Sequence, residues 1–205
     1  MGNPKYKNEF KVTLHPELVE VPLRWKKPAV IFVNSMSDLF REEIPFEFIE
    51  RVFDTMRRAS WHIFQVLTKR SKRMAELARR LHWAPNIWMG VTVELSKYYD
   101  RIEHLVSTPA KVRFISFEPM LGPMQNIPLE GIDWVIVGGE SGPKARKMEE
   151  WWVYDVLAQC KKAKVPFFFK QWGGPGPDKG GKLLLGQKYH EYPPQIEQLQ
   201  RGKLI

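Results

Sequence analysis

The chain has 205 residues, 43% of them hydrophobic, enough for one domain with a real core and too apolar for a disordered chain. Its 32 basic and 23 acidic residues leave a net charge of +9, which favours anionic partners such as nucleic acid, nucleotides or phosphorylated substrates. A single cysteine, Cys160, excludes an internal disulfide and any cysteine-only metal site, and fits a reducing, cytoplasmic setting.

Residues 1–28 read as an extended, proline-punctuated segment with one weak strand pattern at Phe10–Leu14. Its charged start runs into no apolar stretch, so no secretory signal is expected there. No apolar run in the chain approaches the roughly 20 residues that span a bilayer. From Val30 an alternation sets in between β-rich runs and amphipathic helical stretches. Val30–Val33 is the first run. A helix over Pro45–Arg58 follows, with Phe46, Phe48, Ile49, Val52, Phe53 and Met56 on one face. Ile63–Leu67 precedes a helix over Ser71–Leu81, and Ile87–Val93 precedes one over Ser96–Leu105. Val112–Phe117 is followed by a loop instead, because Gly122, Pro123 and Pro128 interrupt the stretch Leu121–Gly131. Trp134–Val137, a helix over Glu149–Ala163 and the run Val165–Phe169 complete the pattern. Three divisions follow: an N-terminal segment (1–28), a repeating α/β body (29–174) and a Gly/Pro-rich tail (175–205), packed on the body or partly mobile.

Six short, nearly all-apolar strands with intervening helices or loops imply a mostly parallel sheet buried on both faces. The spacing suits right-handed βαβ units. It fits a barrel and an open doubly wound sheet equally well.

Ligands of parallel α/β folds bind beyond the carboxyl ends of the strands. Here those ends are polar: Asn34, Ser35, Ser37 and Asp38; Thr68, Lys69 and Arg70; Thr92 and Glu94; Ser116 and Glu118; Gly138, Gly139, Glu140 and Ser141; Lys170, Gln171 and Trp172. If the strands are parallel, these residues converge at one mouth. Some have a plainer use, since Asp38, Ser71 and Ser96 suit helix N-caps. The turn Gly138–Gly142 offers backbone amides to an anion, or is a tight turn without a ligand. It matches neither glycine motif of nucleotide-binding proteins. Lys170 reads either as a buried cation with a perturbed pKa or as an ion-pair partner of Glu118 or Glu140. Lys69–Arg73, with Arg79 and Arg80, is the densest basic cluster. The five histidines show no zinc-site spacing, no G-x-S-x-G elbow occurs, and Cys160 reads as a core thiol.

Four phrases carry a family resemblance: Phe32–Phe40, Gln65–Arg70, Val135–Gly142 and Phe167–Gly173. In this order they resemble a phage and bacterial group, the phage gp-thirty-seven/sixty-eight family associated with a three-cysteine motif. That family is similar to radical S-adenosylmethionine enzymes, especially the branch near spore photoproduct lyase. The resemblance implies a partial (β/α) barrel, TIM-barrel-like, of about six parallel strands with the first strand missing. In full-length relatives it implies a [4Fe–4S] cluster and S-adenosylmethionine. The cluster cysteines belong to an N-terminal segment that this sequence does not contain, so it resembles a truncated member. No metal site, and no cluster after reconstitution, is expected of this chain. Two functional readings follow: a radical S-adenosylmethionine-like barrel inactive unless complemented, or a non-catalytic accessory protein that binds nucleic acid on its basic surface.

Overall fold

The computed structural model describes residues 12–33 and 37–196. Six strands form one sheet: β1 (Val30–Val33), β2 (Ile63–Thr68), β3 (Ile87–Thr92), β4 (Arg113–Phe117), β5 (Trp134–Gly138) and β6 (Phe167–Gln171). All neighbours pair in parallel, and the strand order in the sheet is the order in the chain. That order decides between the two architectures the sequence left open. A doubly wound sheet reverses direction at a switch point. This sheet never does, so same-handed crossovers put the helices on one face and the sheet curls into a half-barrel.

The helices between the strands are α1 (Phe46–Arg58), α2 (Ser71–Ala78), α3 (Asp100–Val106) and α4 (Glu150–Ala163). α1 starts behind Pro45 and buries Ile49, Phe53 and Met56, a spacing that keeps one stripe on the sheet. α4 buries Val153, Val156, Leu157 and Cys160 in the same way and stops at Lys164, which is left-handed at φ 58°. Strand residues of one alternation phase, among them Phe64, Val66, Met89, Val91, Ile115, Val135 and Phe169, pack with these stripes into the main core. The opposite phase lines the concave face, where Ile63, Trp88, Val112, Phe114 and Trp134 form a second cluster with Ile196.

Several sequence expectations shift. Val12–Leu14 is not a strand, and the rest of the Phe10–Leu14 pattern lies outside the described residues. α2 ends at Ala78, after which Arg80 and Leu81 donate to Leu77 and Ala78 in tighter turns that still bury Leu81. The stretch expected as one helix from Ser96 is a 3₁₀ turn, Ser96–Tyr98, followed by α3. β6 begins at Phe167 because Val165 N–H donates to Cys160 O, closing α4, and Pro166 has no N–H.

The connection from β4 to β5 holds no helix, and Gln159 of α4 fixes it. Its Oε1 accepts from Ile127 N at 2.8 Å and its Nε2 donates to Met124 O at 2.7 Å. At the other end of the sheet His62 staples the N-terminal segment. Nδ1 accepts from Ala29 N at 3.1 Å, which leaves Nε2–H to donate to Pro22 O at 3.0 Å. The tail is packed on the body. Tyr189–Glu191 runs antiparallel along the outer edge of β6, with Phe169 N donating to Tyr189 O at 2.8 Å and Glu191 N to Phe167 O at 3.1 Å. Among the described residues nothing pairs the outer edge of β1, whose Val30 and Phe32 are 42% and 44% exposed. No helix among the described residues is long and apolar enough to cross a membrane.

Candidate ligand site at the mouth of the half-barrel

Register divides the concave face into layers. Leu67, Gly90, Phe114 and Trp134 stand side by side, and so do Thr92, Ser116, Ile136 and Phe168. The first layer is an aromatic floor. Gly90 is required there: a Cβ on it would lie 2.4 Å from the Phe114 ring, which leans across β3. Trp134 meets Trp88, Phe168 and Tyr192, and its Nε1 donates to Glu191 O at 2.9 Å. The second layer mixes apolar groups with two hydroxyls. Thr92 and Ser116 are 3% and 2% exposed, and their hydroxyls have no hydrogen-bond partner among the described residues. Neither hydroxyl is among the fully enclosed unpartnered side-chain atoms, so each keeps some contact with solvent and is open to a polar group of a ligand. Gln65, 9% exposed and on the same face, stands beside Trp88 one layer beneath the aromatic floor, and its carboxamide has no hydrogen-bond partner among the described residues.

Above these layers the strand ends carry charge in compensating sets. Glu118 at the end of β4 and Lys170 in β6 pair at 2.6 Å, across the intervening β5. Gly138 leaves room beneath it, since a Cβ there would sit 3.2 Å from Glu118 Cγ and press on that side chain. Lys170 is thus half-exposed and paired, not the buried cation considered from sequence, and its partner is Glu118 rather than Glu140. Glu94, past β3, is nearly buried and accepts from both Lys69 and Arg101, the latter at 2.8 Å. Burial raises the Glu94 pKa, but the Lys69 hydrogen bond and charge, with the Arg101 charge, outweigh it and hold the carboxyl below its ordinary value. Arg101 also donates to Thr92 O at 2.6 Å, which fixes it over the end of β3.

Asp38 does not cap a helix. Its carboxylate accepts from Thr68 Oγ1 at 2.7 Å, Lys69 N at 2.9 Å and Phe40 N at 3.0 Å, tying the loops after β1 and β2 together. Thr68 Oγ1 in turn accepts from Arg70 N at 2.8 Å. Ser71 is already helical, behind an Arg70 cap, and bonds His104 Nδ1 at 3.1 Å. Ser96 opens a 3₁₀ turn and caps nothing. Ser37 is exposed beside Asp38, while Asn34 and Ser35 lie outside the described residues.

The glycine-rich turn after β5 has a structural use. Gly139 N donates to Gln171 O at 2.9 Å, Gly142 N to Gly174 O at 3.1 Å and Gly174 N to Glu140 O at 2.7 Å, so the turn zips to the loop after β6. Ser141 bridges Gly174 in the same ladder. A Cβ on Gly139 would fall 1.8 Å from Trp172 O, and one on Gly173 2.3 Å from Glu140 O. Close approach of two backbones, not of a ligand, demands these glycines, and the amides of Gly139 and Gly142 are already engaged. Glu140 binds Arg146 through both carboxylate oxygens at 2.8 Å, and this, with the Arg146 backbone N–H, pulls its pKa down to about 2. Gln171 is buried and donates to Gly139 O at 3.3 Å. Trp172 packs on Phe169 and donates to Leu183 O at 2.9 Å. Both act as wall supports.

Outboard of the mouth, Lys69, Arg70, Lys72, Arg73 and Arg101 line a depression of about 270 Å³ between α2 and α3, with Tyr98 among them and Glu42 and Asp100 at its edge. Sequence reading found the lysines and arginines from Lys69 to Arg73 but missed Tyr98, Arg101 and Gln65. Gln65 had a signal, a lone amide in the apolar run of β2. Arg101 and Tyr98 had none, because only the fold carries that segment over the end of β3.

A curled, sequentially ordered parallel sheet with a charged rim past its strand ends defines a partial α/β-barrel protein. The chain belongs to the family described as "Protein of unknown function (DUF5131)", which it matches over residues 1–193. No curated protein and no solved structure matches it.

Proposed function

We propose that this family is the phage gp-thirty-seven/sixty-eight group that the strand-end phrases resemble, and that the chain is the ligand-holding part of a radical S-adenosylmethionine-like barrel. The observation that carries the reading is the Glu118–Lys170 pair over Gly138, standing above the unpartnered Thr92 and Ser116 hydroxyls. A charged pair and free hydrogen-bonding groups above an apolar floor suit a small ligand with both polar and apolar parts. By resemblance that ligand is S-adenosylmethionine. An iron–sulfur cluster does not fit the residues present. Cluster iron takes thiolates, and Cys160, the one cysteine, is buried in α4 beneath the main core with its thiol pKa pushed up to about 12 by burial and by Glu191. Radical chemistry therefore requires thiolates from elsewhere, and no step of it is assigned to this chain.

Titration calorimetry with S-adenosylmethionine tests the reading. Binding that weakens at least tenfold in Glu118→Gln and in Lys170→Met, with unchanged thermal melts, supports it. No binding to the parent chain overturns it. Anaerobic reconstitution is expected to leave the chain without a cluster, and stoichiometric iron and sulfide would contradict that.

A second reading is favoured by the basic depression at α2 and α3: a non-catalytic accessory role in nucleic-acid binding. Contacts to phosphates release counterions, so such binding falls steeply with salt. Lys69, Arg70, Lys72 and Arg73 changed together to Ala should abolish it.

A further inference from the structure

We infer that the depression between α2 and α3 seats single-stranded nucleic acid, with a base stacked on the Tyr98–Arg101 pair and the adjoining phosphates on Arg70 and Lys72. This rests on the second reading above and narrows it to one partner and one geometry.

The cations of the depression differ in how far they are committed. Arg73 is held in place, donating to Arg41 O and to Ile44 O and lying 3.5 Å from Glu42. Lys69 and Arg101 share Glu94. Arg70 and Lys72 are exposed and make no salt bridge among the described residues, the Arg70 charge acting only from a distance on Glu43, so an incoming anion meets two cations without a contacting carboxylate beside three that are paired or held. Such a patch alone attracts any polyanion. Tyr98 makes it selective. The Arg101 guanidinium lies 4.2 Å from the centre of its ring, and Lys97 Nζ lies 5.0 Å away. Its hydroxyl has no partner among the described residues, whereas neighbouring Tyr99 donates to Gln125 O and is tied into the wall. Both rings are half-buried against the main core, but Tyr99 is also tied by its hydroxyl, whereas Tyr98 turns its ring toward Arg101 and Lys97. Aromatic rings and guanidinium planes are the surfaces on which unstacked bases lie, and the neighbouring cations suit the backbone between those bases. In a duplex the base faces are covered. Groove reading takes an exposed element that can enter the groove, and α2, eight residues long, packs on α3.

The test is fluorescence anisotropy of the full chain with a short labelled oligonucleotide, single-stranded and as a duplex, at low and at physiological salt. Single strand is expected to bind at least tenfold tighter than duplex. Tyr98→Ala is expected to lose about tenfold in single-strand affinity and Tyr98→Phe to keep it, since a stacked base is held by the ring. Arg70→Ala with Lys72→Ala should reduce the slope of log affinity against log salt by about 1.4, for two phosphate contacts on a single strand. Thermal melts of each variant separate lost binding from lost fold. Equal binding of duplex and single strand with no effect of Tyr98→Ala overturns this inference and leaves the basic-surface reading standing. No binding of either form at low salt overturns both.

Discussion

Gly139 shows how a single residue ties the mouth together. A side chain there would meet Trp172 O at 1.8 Å, and that oxygen belongs to backbone that cannot swing aside. Gly139→Ala is therefore expected to destabilise the chain by about 1–3 kcal/mol, as overpacking does, read by denaturant unfolding. Glu94 sets a pH dependence. Its carboxyl is held below the ordinary value, so its contribution is present above the unfolded-state pKa and is lost as pH falls through the lower folded one. Melts taken from neutral to about pH 3 should show less acid destabilisation in Glu94→Gln than in the parent. An unchanged acid response would mean that other carboxylates govern it. Cys160 gives a reactivity test. With its thiol pushed up to about 12, chiefly by burial, it should resist a thiol reagent at mildly alkaline pH and react at once in denaturant. Fast labelling of the native chain would refute its burial.

At the scale of elements, the strands were readable because a largely buried parallel sheet needs short, mostly apolar runs, and each of the six appears as one, although the edge strand β1 leaves Val30 and Phe32 exposed. Helix ends were less readable. Nothing in the composition near Ala78 or Tyr98 announces the change from α-helical to tighter turns, which is settled by where Leu81 and Ile102 reach the core. Lys164 illustrates an end the sequence could not betray. It ends α4 in a left-handed conformation that glycine adopts freely. Lys164→Gly is expected to stabilise by about 1 kcal/mol, measured as a raised midpoint of unfolding. The tail, readable only as polar and glycine-rich, owes its place to backbone bonds along β6 that no side-chain pattern encodes.

For the whole molecule, parallel pairing alone sends every polar strand end to the same side, which is why the rim residues from Asp38 to Lys170 could be named in advance. Their pairings could not. Glu118 reaches Lys170 across the curled sheet, with Gly138 leaving the place between them open. Arg101 and Tyr98 join the rim because α3 and the 3₁₀ turn before it lie against the end of β3, where Arg101 donates to Thr92 O. Charge is a property of the sequence; which charges remain free is a property of register and curvature.

The sharing of Glu94 gives the two sides of the mouth different temperaments. Lys69 is a redundant counterion: if a phosphate draws it away, Arg101 still neutralises the buried carboxylate at 2.8 Å. Lys170 has no such understudy among the described residues, where Glu118 pairs with no other cation. An anion arriving over β2 and β3 can therefore recruit a lysine at little cost. On the proposed reading, one arriving over β4 to β6 is expected to bring a positive charge of its own, so that side of the rim would favour zwitterions over simple anions.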